Sequence, residues 1–367
     1  MKRENDIKDF YVYWLCNISG IGYVKIKAFL KEFKTPKAVY DASESEIRAL
    51  TESMSFFRKG DCERVLESRK DTYIYDGYIN MKKKGIRFTY PGRSDYPQRL
   101  GRIYDAPHIL YYMGKLPGDT PGAAIVGTRN CSVYGRGMAF TLAKELSSAG
   151  VQVISGLAAG IDTHAHNGVI AADGRTFAVL GSGVDVCYPK SNLELYSNIL
   201  KKGGVLSEFP PGCEARAGHF PVRNRIISAL SDVVIVVEAK KRSGSLITVN
   251  AALEQNKDVM AVPGRVGDAL SEGCNYLISQ GAHMVTESRD VLDLLGMNIL
   301  NKNKKNNFIL ASDEEKVYGS ICLNPKSIHD IIEETGFDSA KVSQILLNLE
   351  LNDLTEEVSK NYYVRKA

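Results

Sequence analysis

Apolar residues recur along this chain with two different periods, and the change of period divides it. Over residues 7–70, Leu15, Ile18, Ile21, Val24, Ile26, Phe29, Leu30 and Phe33 return at near-helical spacing. That spacing predicts amphipathic helices, interrupted at Ser19-Gly20-Ile21-Gly22. Residues 72–118 form a bridge: a helix, the short strand IRFTY (86–90), then a Pro- and Tyr-rich stretch ending in ILYYMG (109–114). From Ala123 the helical period gives way to short, unbroken apolar runs. These are AAIVG (123–127), VQVIS (151–155), TFAVLG (176–181), VVIVV (233–237) and DVMAVP (258–263), with a shorter one at VLSE (205–208). Runs of this length, separated by helix-length segments, predict parallel strands buried on both faces. The fold class is therefore α/β, a doubly wound and mostly parallel sheet.

Beyond it, NKNKKNN (301–307) is polar and of low complexity and reads as a linker. Two helices follow at 325–336 and 338–354, then a hairpin at 358–366, an order that suggests a winged helix. The expected domains are a helical N-terminal domain (1–71), the bridge (72–118), the α/β domain (119–298), the linker (299–307) and the winged-helix-like domain (308–367).

Ligands of doubly wound sheets sit beyond the carboxyl ends of the strands. Here those ends are rich in small residues: Gly127-Thr128-Arg129, then Ser155-Gly156-Leu157-Ala158-Ala159-Gly160-Ile161-Asp162, then Gly181-Ser182-Gly183 and Pro263-Gly264-Arg265. Glycine lets a ligand approach the main chain, and helix N-termini favour anions. One stretch adds more. Phe220, Arg223, Asn224 and Arg225 precede the fourth long strand, and Lys240-Lys241-Arg242-Ser243-Gly244-Ser245 follow it. A flat ring, planar cations and a basic Ser/Gly turn are the groups that hold a phosphate backbone and stack a base without reading sequence. The same glycine logic touches Ser19–Gly22, which resembles the turn of a helix-hairpin-helix. There a plain helix-packing turn and a DNA contact remain alternatives.

Composition narrows the classes. The 367 residues carry a net charge of +4, unevenly spread. Residues 1–115 hold 22 Lys+Arg against 15 Asp+Glu, whereas residues 299–367 hold 9 against 11. A nucleic-acid footprint therefore belongs to the front and middle rather than the tail. The seven cysteines form no CxxC pair, which points to a reducing compartment rather than a disulfide framework or a Cys-rich zinc site. No signal peptide or membrane-length apolar segment is visible, so a cytoplasmic protein without a membrane partner is expected. GxxxxGK[ST], a strand-following GxGxxG and a GxSxG elbow are all missing, which argues against P-loop hydrolysis, dinucleotide binding and serine hydrolysis. Asp162, His164 and His166 lie at i, i+2 and i+4, so only the outer two share a helix face and no metal site is expected. Asp185 and Glu238 end strands and read as residues that orient arginines or cap helices.

AIVGTRNCSVYG, VISGLAAGIDTHAH, AVLGSGVDVCYPKSN, LSEFPPG, HFPVRNRIISALSDVVIVVEAKKRSGSLIT and VMAVPGR resemble, in order and spacing, the DNA processing protein A (DprA/Smf) family over about residues 123–285. ISGIG with ASESEIRAL is similar to that family's helical N-terminal domain (helix-hairpin-helix or SAM-like), and the tail is similar to its winged helix. The resemblance implies a Rossmann-like core and a cytosolic, non-enzymatic protein without cofactor. Such a protein binds and protects single-stranded DNA, forms homodimers, and loads RecA recombinase during natural transformation. It implies that Arg129 contacts phosphate, that Gly156 gives a backbone contact and that Phe220 stacks on a base. It also places Arg223, Asn224, Arg225, Lys240, Lys241, Ser243, Gly244 and Ser245 in the groove. One departure is CEARAG (213–218), which carries Arg216 but no lysine just before the aromatic. The alternative is a nucleotide-binding hydrolase of the phosphoribohydrolase kind. Its PGGxGTxxE loop would need an acid three residues after the threonine, and SGSLITVNAALE has none there.

Overall fold

The computed structural model describes residues 2–297, 312–352 and 354–365; the expected linker at 299–307 lies outside them. In chain order the strands are β1 (Arg87–Thr89), β2 (Leu110–Gly114), β3 (Gly122–Val126), β4 (Gln152–Ser155), β5 (Thr176–Val179), β6 (Gly204–Ser207), β7 (Val233–Val236), β8 (Asp258–Ala261), β9 (His283–Met284), β10 (Lys326–Ser327), β11 (Thr355–Ser359) and β12 (Tyr362–Arg365). The chain forms two compact units. One comprises Met1–Asp119 and Phe177–Leu230, the other Thr120–Thr176 and Ser231–Ala367.

In the first unit, helices Lys2–Cys16, Tyr23–Phe33, Pro36–Asp41, Glu44–Ser53, Asp61–Ser68 and Thr72–Lys83 form the N-terminal part. Local chemistry sets their ends. Thr35 caps the third helix through the Ala38 amide, and Ser43 with Glu46 forms a reciprocal capping box on the fourth. Trp14, Leu15, Phe29 and Ile47 are fully buried among them. The strand order in this unit is β1-β2-β6-β5. β1 and β6 flank β2 antiparallel, with Phe88 opposite Tyr111 and Tyr111 opposite Ser207. β5 and β6 are parallel.

The second unit carries β4-β3-β7-β8-β9, each strand parallel to its neighbours in this run. β3, β4 and β7 are buried at every residue, which is why their sequences run apolar instead of alternating. Helices Val133–Ser148 and Ile161–Ala171 pack beside them, so Ile125, Leu142, Val169, Val233 and Ile235 share one core. The C-terminal part of this unit is a winged helix. Helices Ser312–Ser320, Ile328–Thr335 and Ser339–Leu351 close on Val317, Ile331, Val342 and Leu346, and the small sheet runs β10-β12-β11. Ser327 and Asp338 cap the second and third of these helices. The helix Ser312–Ser320 and the strand β10 are additions to the two helices and hairpin that the sequence pattern predicts. Leu323, just past the first of these helices, packs against the core of the parallel strands.

Candidate nucleic-acid interface

In the first unit β5 and β6 run parallel and end at the same side, and the helix His219–Leu230 begins near the end of β5. The ring of Phe220 lies on Gly181, just past β5. A methyl group at Gly181 would sit 2.9 Å from Phe220 Cδ1, so only glycine leaves room for the ring. His219 fixes the start of the helix. One ring nitrogen lies 3.0 Å from the Gly181 carbonyl, and the imidazole stacks on Phe209 with centroids 4.0 Å apart. Tyr188, 47 % exposed, sits beside Phe220 with ring centroids 5.7 Å apart. The half-buried Phe220 and the exposed Tyr188 thus form a small aromatic shelf. Arg216 is exposed three residues before His219.

The two arginines of the RNR sequence have other work. Arg223 is only 4 % exposed. It donates to the Val179 carbonyl in β5 and, through Nε, to Asn224 Oδ1 at 3.1 Å, with its guanidinium 5.8 Å from the Phe220 ring centre. Arg225 pairs with Asp105 at 2.8 Å and with Glu208 at 2.9 Å. Burial pushes the Glu208 carboxyl above its ordinary value, while Arg225 pulls the other way. Both arginines expected to neutralise phosphate are thus engaged within the fold. A buried guanidinium committed to a carbonyl, and one already holding two carboxylates, position the helix that carries Phe220. Asn224 is half-buried and orients Arg223.

In the second unit Arg129 is exposed just past the carboxyl end of β3. Its loop is fixed by Gly160, where a side chain would strike the Thr128 and Arg129 carbonyls at about 2.5 Å. Gly156, past β4, is buried, and its amide donates to Asp162 Oδ2 at 3.0 Å. The Ala158 amide shares that oxygen at 3.4 Å. Asp162 thus engages the Gly156 amide, the residue expected to give a backbone contact. Past β7, Lys240, Lys241 and Arg242 are exposed, and their side chains have no hydrogen-bond or ion-pair partner among the described residues. Ser243 and Ser245 share a hydroxyl contact of 2.8 Å, and the Ser245 amide donates to Ser243 Oγ, which shapes the start of helix Ser245–Glu254. Ser245 is buried and acts in that turn, whereas Gly244 is exposed with open space around its Cα.

Glu238, the carboxylate ending β7, accepts from the Ser132 amide at 2.9 Å and from the Ser132 hydroxyl, and Ser132 in turn caps helix Val133–Ser148. A cavity of about 760 Å³ opens there, lined by Ser132, Tyr134, Glu238, Arg265 and Asp268, with Asn324 of the winged helix at its edge. Asp185 holds Lys84 at 2.7 Å and the Gly212 amide at 2.6 Å. Burial alone would raise its carboxyl, but these donors outweigh it and hold it below the usual range. His166 is buried against Thr176 at 2.6 Å. Among the described residues, no three His, Cys, Asp or Glu side chains are grouped to hold a metal, and no helix is long and apolar enough to cross a membrane.

Gly181, His219 and Tyr188 build the aromatic shelf and were not singled out for it by sequence. Only the glycine just past an apolar strand and the His-Phe pair at a helix start gave any signal. Asp162 is likewise the residue that organises the β4 loop; its place in a helix's first turn was legible, its targets were not.

Comparison with known proteins bears on this geometry. Residues 87–296 match the family model described as DNA recombination-mediator protein A, and residues 303–359 match that of the DprA winged helix domain. The chain is 35 % identical to Protein Smf of Synechocystis over 313 residues, covering 83 % of this chain and 78 % of that protein. It is 48 % identical to the DNA processing protein DprA of Streptococcus pneumoniae over 198 residues, covering 54 % and 70 %. The X-ray structure of the pneumococcal protein superposes with a TM-score of 0.68 at 36 % identity, covering 77 % of this chain and 97 % of that one. A DNA processing protein A from Helicobacter pylori, solved for its single-stranded DNA binding mode, matches with a TM-score of 0.52 at 30 % identity, covering 57 % and 95 %.

Proposed function

Because this chain belongs to the DNA recombination-mediator protein A (DprA/Smf) family, we propose that it binds single-stranded DNA and hands the strand to RecA recombinase during uptake of foreign DNA. The observation that carries this reading is the Phe220 ring seated on Gly181, with Tyr188 beside it. A flat ring seated on main chain beside a second aromatic is the kind of platform on which a base stacks. Stacking of this kind contributes about 1–3 kcal/mol per base and accepts any base. A duplex keeps its bases paired and denies them to such a shelf.

The second unit carries exposed cations of its own. Arg129 and the Lys240–Arg242 turn are exposed, and the three residues of the turn are not neutralised by neighbouring carboxylates among the described residues. Their role is to attract the backbone through counterion release. Arg223 and Arg225 serve instead to fix the helix that presents Phe220.

The protein acts by binding, without making or breaking a covalent bond. Glu238, a carboxylate at a strand end, is engaged by Ser132, which supports this part of the reading. Homodimer formation, protection of the incoming strand and action in the cytoplasm complete the proposal. Fluorescence anisotropy with labelled single strand and duplex at two salt concentrations tests it. The single strand binds more tightly, and Phe220→Ala removes most of that preference. Equal affinity for both forms, or a Phe220→Ala variant that binds as the parent does, sinks the reading.

A further inference from the structure

The helical N-terminal part holds a basic cavity that the shelf and the basic turn leave unused. It measures about 380 Å³ and is lined by Ser19, Gly20, Lys25, Phe56, Arg58 and Arg64. Three cations thus face one small space. A single carboxylate, Asp61, holds two of them in place and is itself fully buried. Asp61 pairs with Lys25 at 2.7 Å and with Arg64 at 2.6 Å, and accepts the Arg58 amide at 2.7 Å. Lys25 also donates to the Gly20 carbonyl at 2.8 Å, tying the cation to the glycine turn. The Arg58 side chain has no hydrogen-bond or ion-pair partner among the described residues.

The charges do not balance. Against one buried carboxylate stand two partly exposed side chains and the exposed Arg58, so the mouth of the cavity keeps a net positive charge. Like charges drawn together in this way raise the energy of the empty cavity, and an anion placed among them removes that cost. The turn is shaped for close approach as well. Gly20 adopts φ +78°, and an added Cβ would lie 3.3 Å from the Arg64 guanidinium, so the turn passes directly under that cation. Gly22, at the start of helix Tyr23–Phe33, has nothing within 4 Å of where a Cβ would be, and no side chain caps the helix there. Phe56, 41 % exposed, adds an apolar wall suited to a sugar or base edge.

We propose that this cavity binds a phosphate of a nucleic-acid backbone, giving the N-terminal helices a sequence-independent DNA contact of their own. The proposal depends on the nucleic-acid reading only for the class of partner. Its residues are separate from Phe220, Arg129 and the basic turn.

The test uses the full chain and anisotropy with a long oligothymidylate and with a hairpin duplex, each titrated over a range of salt. Arg58→Glu and the Arg58→Ala/Arg64→Gln pair are compared with Arg175→Glu, which makes the same charge reversal as Arg58→Glu at an exposed residue away from this cavity. The cavity variants weaken binding about tenfold at low salt, and the double variant lowers the slope of log K against log salt by about 1.5, two contacts at about 0.7–0.9 each. Arg175→Glu leaves the slope alone, and thermal melting shows that Arg58→Glu and the Arg58→Ala/Arg64→Gln pair fold as the parent does. A parental slope in both cavity variants, with Phe220→Ala still impaired, overturns this inference and leaves the function standing. Loss of inorganic phosphate binding with DNA slopes unchanged also overturns it, marking the cavity as a small-anion site. A parent chain that binds no DNA overturns both.

Discussion

Two basic stretches lie within thirty residues of each other in this sequence and meet opposite fates. At the start of helix His219–Leu230, Arg223 is buried against β5 and Arg225 is held between Asp105 and Glu208. After β7, Lys240, Lys241 and Arg242 stand in solvent with no partner among the described residues. The composition is alike, but the first stretch spends its charge inside the fold. Formal charge along a chain therefore overstates the charge it can offer a polyanion. What decides is whether carboxylates and carbonyls from distant segments reach the cations first.

The contrast predicts that the first stretch governs stability and the second governs binding. The largest effect belongs to Arg223→Ala. It strands the Val179 carbonyl and removes a buried side chain, and should cost about 3 kcal/mol, read as a lowered midpoint in denaturant unfolding. Arg225→Ala leaves the Glu208 carboxylate without its cation and should cost about 2 kcal/mol near neutral pH. This loss depends on pH. Burial already raises the folded Glu208 carboxyl above its unfolded value, and removing Arg225 raises it further. The folded state then binds more protons than the unfolded state above the ordinary carboxylate range. Stability of the variant should fall, relative to the parent, as pH rises through that window, and recover in acid. A pH-independent penalty would break the assignment of Arg225 to Glu208.

Next comes Phe220→Ala, expected to weaken single-stranded DNA by about 1–3 kcal/mol in anisotropy titrations while changing the unfolding midpoint far less than Arg223→Ala does. Smallest in free energy is the triple change Lys240→Ala, Lys241→Ala, Arg242→Ala. Unfolding should stay within about 0.5 kcal/mol of the parent, and the salt slope for single strands should fall by about 2. If the triple variant unfolded early, or Arg223→Ala lowered only DNA affinity, the two stretches would have exchanged roles and the comparison would fail.

Much of the fold was readable from sequence because burial on both faces writes itself as unbroken apolar runs. Val233–Val236 and Gln152–Ser155 fall within a residue of the runs that predict them. β2 is less legible. Its Leu-Tyr-Tyr-Met sequence pairs antiparallel with β1 and β6, and tyrosines in a Pro-rich bridge read equally well as packing residues. For the candidate site, residue types were visible but their partners were not. Nothing local to Arg225 announces Asp105, which lies far back along the chain, just as nothing local to Arg223 announces the Val179 carbonyl. Long-range hydrogen bonds decide which polar groups stay available, and they follow from tertiary packing rather than from any periodic pattern.

Gly181 carries a further consequence. The height of the aromatic ring above the end of β5 is set by a single hydrogen atom, since one carbon in its place would meet the ring edge at 2.9 Å. The geometry of the platform is thus written in backbone and leaves residue 220 tolerant of change. Tyrosine or tryptophan there can keep a flat surface at much the same level, whereas alanine at residue 181 lifts or tilts whatever aromatic lies above it.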